Sequence, residues 1–190
     1  KSCNLMQDFT HMYVRRAKFL LILFDHHTDM QKPMIDDMTS CGDWAGKVLK
    51  TNSLLQQLVL IGPQDDDISQ VLNEKGIKEK LLTISAEEIQ SGEDKSKIFM
   101  IKKNFPVYVS IDKDILDEKY SMTNWSQGKM SLPMLERLLM PILKSEKILG
   151  IDICGECRQD IPFPQYLEAE EINGETNKEL FDFLIHYLHI

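Results

Sequence analysis

Five short apolar runs divide the chain: Phe19–Phe24, Leu58–Ile61, Leu81–Ile84, Pro106–Ile111 and Ile148–Ile153. Each is rich in large aliphatic or β-branched residues and stops at polar or turn-forming ones, the pattern of strands rather than helices. The first, FLLILF, has no polar position, which predicts a strand buried on both faces of a parallel sheet. Between the runs the apolar residues take helical spacing. Residues 1–17 are predicted to form a helix leading into the first strand. Asp43 is expected to cap a helix through about Thr51, with Trp44, Val48 and the stem of Lys47 facing inward. Asp65, Asp66 and Asp67 open a helix carrying Ile68, Val71 and Leu72, where acidic side chains complement the helix dipole. Ser85 and Glu88 have capping-box spacing, and residues 91–97 read as a charged surface loop. Ser131, Pro133 and Glu136 start a helix carrying Leu135, Leu138, Leu139 and Ile142, with a kink expected at Pro141. Thr176 is predicted to cap a last helix carrying Leu180, Phe183, Leu184, Tyr187 and Leu188. Strands alternating with helices imply an α/β fold, a parallel sheet covered on both faces.

Length and composition narrow this picture. A chain of 190 residues is expected to form a single domain over 1–190, and starting at Lys1 without a methionine suggests truncation at the N-terminus. Hydrophobic residues at 43% and charged residues at 27% suit a globular domain. The net charge of −8 argues against a nucleic-acid partner, and no apolar run reaches the length of a membrane span. No secretory signal is visible. Cys3, Cys41, Cys154 and Cys157 make no disulfide framework at this length and suit a reducing, cytoplasmic setting.

The chemistry gathers where two apolar runs end. Asp25, His27 and Asp29 follow the first at alternating positions, and Asp112 and Asp114 follow the fourth, with Asp117 beyond. An extended segment would send such alternating side chains to one side. Ligands in open α/β sheets bind outside the carboxyl ends of the strands, and parallel strands end at the same edge. Five such groups at one edge repel each other unless cations lie between them. Carboxylates with an imidazole suit Mn²⁺, with Zn²⁺, Fe²⁺ or Co²⁺ as substitutes. Two ions about 3.5–4 Å apart, bridged by a hydroxide, would form a hydrolytic centre. On its own, His11 reads as a surface or capping residue, and His186 and His189 as surface or helix-end residues. Cys154 and Cys157 form a C-x-x-C pair outside the helix-start setting of redox motifs, so they read as pocket-lining residues or a chance pair.

These residues resemble a known family. D-x-H-x-D after a strand (Asp25–Asp29) and S-x-D-x-D-x-x-D far downstream (Ser110–Asp117) are similar to the signature pair of the arginase–agmatinase, or ureohydrolase, superfamily. The resemblance spans about residues 10–157. It implies a three-layer α/β/α fold and a binuclear Mn²⁺ site with Asp25, His27, Asp29, Asp112 and Asp114 as ligands. The family takes a further histidine from an upstream segment, and His11 is the only upstream candidate. Glu156 is the nearest match to the family's substrate-binding glutamate, which would orient a cationic nitrogen, and proton transfer falls to Asp114 or a metal-bound water. It implies a metal-dependent hydrolase of non-peptide C–N bonds in a small cationic guanidino or amidino compound, and homo-oligomers are common in the family. Two features depart from the family pattern. No histidine follows the first motif, where Thr39–Trp44 stands, and Thr123–Gly128 replaces a Gly-Thr-Pro loop. They point to a short, divergent bacterial branch. Two rivals share the fold: a deacetylase-like enzyme with one Zn²⁺ acting on an acetylated amine, and a non-catalytic metal-binding protein.

Overall fold

The computed structural model describes residues 17–33, 38–73, 76–145, 147–157 and 160–188. His11 and His189 lie outside them, as does the helix expected over residues 1–17 except for its last residue.

Five parallel strands form one sheet: β1 (Phe19–Phe24), β2 (Leu55–Ile61), β3 (Leu81–Ile84), β4 (Val107–Asp112) and β5 (Ile148–Cys154). Their spatial order is β3-β2-β1-β4-β5. β1 is central, and all six of its side chains are buried. Successive residues point to opposite faces. Leu20, Ile22 and Phe24 therefore join one core, and Phe19, Leu21 and Leu23 the other. Helices cover both faces. α1 (Trp44–Thr51) and α2 (Asp65–Leu72) pack on the second core through Trp44, Ala45, Leu49 and Val71. α3 (Ala86–Ser91), α5 (Leu132–Ser145) and α6 (Phe163–Leu188) close the first, where Ile89, Leu135, Leu139 and Leu180 are buried. The expected three-layer α/β/α architecture is what forms.

The predicted capping box is present: the Ser85 hydroxyl accepts from the Glu88 N–H, and the Glu88 carboxylate accepts from the Ser85 N–H. Four local expectations are corrected. Asp43 precedes α1 but makes no side-chain cap, because its carboxylate accepts from the backbone and hydroxyl of Ser40 at 2.9 Å each. α1 turns Ala45 and Gly46 inward beside Trp44 and Leu49, and leaves Val48 half-buried. Residues 91–97 are not a surface loop. They contain most of a helical turn, α4 (Asp94–Ile98), with Asp94 wholly buried. Its charge reaches the Arg137 guanidinium at 3.1 Å. Thr176 is no cap, since α6 starts at Phe163. Asn173 and Thr176 lie on its buried face, and their hydrogen bonds hold the loop before α5: Met122 N–H donates to Asn173 Oδ1, Asn173 Nδ2 to the Met122 carbonyl, and Thr176 Oγ1 to the Tyr120 carbonyl.

The chain runs outward from β1 to β2 and β3, then returns to place β4 and β5 on the other side of β1. The gap between the ends of β1 and β4 is the topological switch point, where open α/β sheets form a crevice.

Candidate metal centre

Both loops at the switch point are shaped by the same local device. The Asp25 carboxylate accepts from the N–H of His27, two residues on, at 2.6 Å. The Asp112 carboxylate likewise accepts from the N–H of Asp114 at 3.0 Å. Short acidic side chains fold a chain end this way by imitating a backbone turn. After Asp112 the chain enters a short 3-10 turn, Lys113–Ile115. The residues after β1 bend, and Asp29 adopts a left-handed φ of 51°. The convergence expected from an extended, alternating segment thus arises from turns instead, which aim carboxylates inward while satisfying backbone donors.

The turns bring Asp25, His27 and Asp114 together, with one possible ligand atom from each lying within 4.8 Å of the others. His27 Nδ1 lies 2.8 Å from Asp114 Oδ2 and 3.6 Å from Asp25 Oδ1. The His26 N–H donates to Asp114 Oδ1 at 3.0 Å. Asp29 and Asp112 stand outside this tight trio but within its field. Burial first, then the charges of Asp29, Asp114 and Asp112, push the Asp25 carboxyl well above the usual range, against the His27 hydrogen bond. Asp29 is pushed up to about 7 by burial and by Asp112 and Asp114. Asp112 is raised by burial and by Asp114. His27 rises to about 10, because its hydrogen bonds to Asp114 and Asp25 favour the imidazolium. Among the described residues, four carboxylates thus share one histidine, and the oxygen and imidazole donors fit a hard divalent cation such as Mn²⁺.

Each outer ligand candidate has its own neutral donor. Trp44 Nε1 donates to Asp29 Oδ2 at 2.5 Å. The Cys154 thiol donates to Asp112 Oδ2 at 3.3 Å, and burial holds that thiol protonated, with help from the Asp112 and Asp152 charges. Cys154 and Cys157 are free thiols. Gly155, with φ of 89°, lies so close to Asp112 Oδ1 that a Cβ there would collide with it. The C-x-x-C segment therefore packs against Asp112.

Glu156 is not free at the rim. Its Oε1 accepts from Lys113 Nζ at 2.5 Å and from Asn177 Nδ2 at 3.1 Å. Lys113 itself is fully buried and also donates to Asn177 Oδ1 at 2.8 Å. This ammonium, lying between Asp112 and Asp114 in sequence, is turned away from both. Beside the trio a cavity of about 360 Å³ opens along His26, Gly62, Gln64, Gln127 and Gly128. Another of about 220 Å³ lies along His27, Thr28, Lys32 and Gln70.

The arginase family model matches residues 5–155. The chain belongs to the arginase family. An uncharacterized protein of Thermotoga maritima is 32% identical over 181 residues, 94% of this chain and 65% of that relative. The fold is similar to formimidoylglutamase from Bacillus subtilis, with a TM-score of 0.68 at 15% identity, covering 94% of this chain and 55% of that one. It is equally similar to agmatine ureohydrolase of Thermoplasma volcanium, with a TM-score of 0.68 at 18% identity, covering 90% and 55%. The chain thus spans roughly half to two thirds of the length of the proteins it matches.

Within this arginase-family frame, three contributors are not apparent from the sequence patterns. Trp44 reads as core from its helical position, yet its indole N–H reaches Asp29. Ser126 sits in a loop without periodicity, yet its hydroxyl lies 2.9 Å from His27 Nε2. Lys113, between two acids, reads as solvated, and only the fold buries it. The sequence signal that was present is the unusual loop Thr123–Gly128. Cys41 is half-buried in the turn before α1. Its neighbour Gly42 accepts from the Gln31 N–H at 2.8 Å.

Proposed function

We propose that this chain hydrolyses a non-peptide C–N bond in a small, linear guanidino or amidino compound and uses a pair of Mn²⁺ ions to do so. The observation that carries the reading is the convergence of Asp25, His27 and Asp114 at the switch point, with Asp29 and Asp112 raised by the same crowded charge. In this reading Asp25, His27, Asp29, Asp112 and Asp114 hold the ions, and His11 completes the set by family resemblance. Ions held there would supply Lewis acidity and ease deprotonation of an attacking water.

The chain's own groups do the rest. Asp114, whose Oδ1 accepts from the His26 N–H, accepts the proton of the attacking water and passes it to the departing nitrogen. Glu156 orients the cationic nitrogen of the substrate, with Lys113 and Asn177 fixing its position. Because Lys113 already offsets part of its charge, its hold on a second cation is weaker than that of a free carboxylate.

The test is to load the purified chain with Mn²⁺ and measure urea release from arginine, agmatine and simple alkylguanidines, and formamide release from formimidoylglutamate. Turnover on one of these, lost on chelation, is expected. A fully metal-loaded chain that turns over none of them overturns the reading.

A further inference from the structure

We infer that Ser126 is a positioning residue for the metal centre: its hydroxyl accepts the Nε2–H of His27 and so presents Nδ1 as the nitrogen that binds the cation. This rests on the metal site proposed above. It concerns a loop residue outside both signature motifs.

The geometry is two-sided. One edge of the His27 ring faces acids, with Nδ1 at 2.8 Å from Asp114 Oδ2. The opposite edge faces the hydroxyl, with Nε2 at 2.9 Å from Ser126 Oγ. A neutral imidazole carries one N–H and one lone pair. A metal-ligating histidine is normally fixed in one tautomer by a partner on its other nitrogen. Ser126 is the side chain that occupies that place.

The hydroxyl can play this part because its loop is held from several sides. Gln127 Nε2 donates to the carbonyls of Leu116 and Ser121 at 3.3 and 2.7 Å and to Ser121 Oγ at 3.0 Å. Gln127 Oε1 accepts from the Thr123 N–H at 3.2 Å. The Gly128 N–H donates to the Asp114 carbonyl at 2.7 Å, and its Cα approaches the Ile115 carbonyl so closely that any Cβ would collide. The loop is therefore pinned to the same turn that carries Asp114. Trp125, 58% exposed, stands edge-on to the His27 ring with centroids 6.3 Å apart and limits its rotation. Asn173 and Thr176 of α6 anchor the loop's start.

The experiment compares the parent chain with Ser126→Ala and Ser126→Thr, using Zn²⁺ alone as a diamagnetic probe. Calorimetric titration is expected to show about a 10- to 100-fold loss of Zn²⁺ affinity in S126A and a loss of no more than about threefold in S126T, which keeps the hydroxyl. Nitrogen-15 spectra of histidine-labelled, Zn²⁺-loaded parent should show His27 with a protonated Nε2 and a metal-bound Nδ1. In Zn²⁺-loaded S126A, His27 should show a mixture of Nδ1-bound and Nε2-bound forms. Melting of all three chelated proteins within about 2 °C of one another would exclude a folding effect. S126A holding Zn²⁺ as tightly as the parent, or a parent His27 bound through Nε2, overturns the inference while leaving the metal centre standing. A parent that holds no Zn²⁺ removes both.

Discussion

On one face of the sheet Asp94 lies wholly buried, yet it is matched by the Arg137 guanidinium at 3.1 Å. Close by, Glu88 is paired with Lys97 at 2.5 Å. At the carboxyl edge, Asp25, Asp29, Asp112 and Asp114 crowd around His27, with no Lys or Arg paired to them among the described residues. The nearest buried ammonium, Lys113, is spent on Glu156 and Asn177. The first acidic group is balanced from within and serves the fold. The second is left unbalanced, which in a buried setting is tolerated where an external cation completes it. The difference separates a structural ion pair from a candidate site more sharply than acid content does.

Breaking the second group is expected to have the largest effect. Asp114→Asn should lower Mn²⁺ affinity by about 100-fold or more and abolish any guanidine turnover.

The pH dependence of the chelated protein comes next. Folded Asp29 and Asp152 are raised to about 7 and about 6 from an ordinary 3.8, both mainly by burial. The folded state then holds more protons than the unfolded one between those values, so stability falls as pH rises from about 4 to 7. His27 acts in the same direction. Raised from 6.5 to about 10 by its acidic partners, it contributes fully below 6.5 and loses that contribution as pH passes 10. Melting curves should therefore shift downward from about pH 5 to pH 9. Saturating Mn²⁺ should reverse the trend, since ligation needs the deprotonated groups.

Asp94→Ala should act on the fold rather than on the site. It leaves Arg137 without its partner and should lower stability by about 1–3 kcal/mol in urea melts, with no change in Mn²⁺ affinity. The smallest effect is expected for Trp44→Phe. It keeps a ring in the core but removes the donor to Asp29, and should weaken Mn²⁺ binding by about tenfold.

The sequence by itself determined the strands, their parallel arrangement and the acids that end β1 and β4. An uninterrupted run such as FLLILF is stable only between two cores, and the residues that end it fall at the sheet's functional edge. It also specified the Ser85–Glu88 cap, because that bond pattern is local. Tertiary structure decided the rest. The α6 helix runs from Phe163, and Asn173, Thr176 and Asn177 on it give their polar groups to the site loops, which interrupts the apolar periodicity that would have marked it. Lys113 is buried, Trp44 reaches Asp29, and Ser126 meets His27 across 99 residues of sequence. Such pairings follow from which chain ends the fold places at one crevice, and no local pattern encodes them.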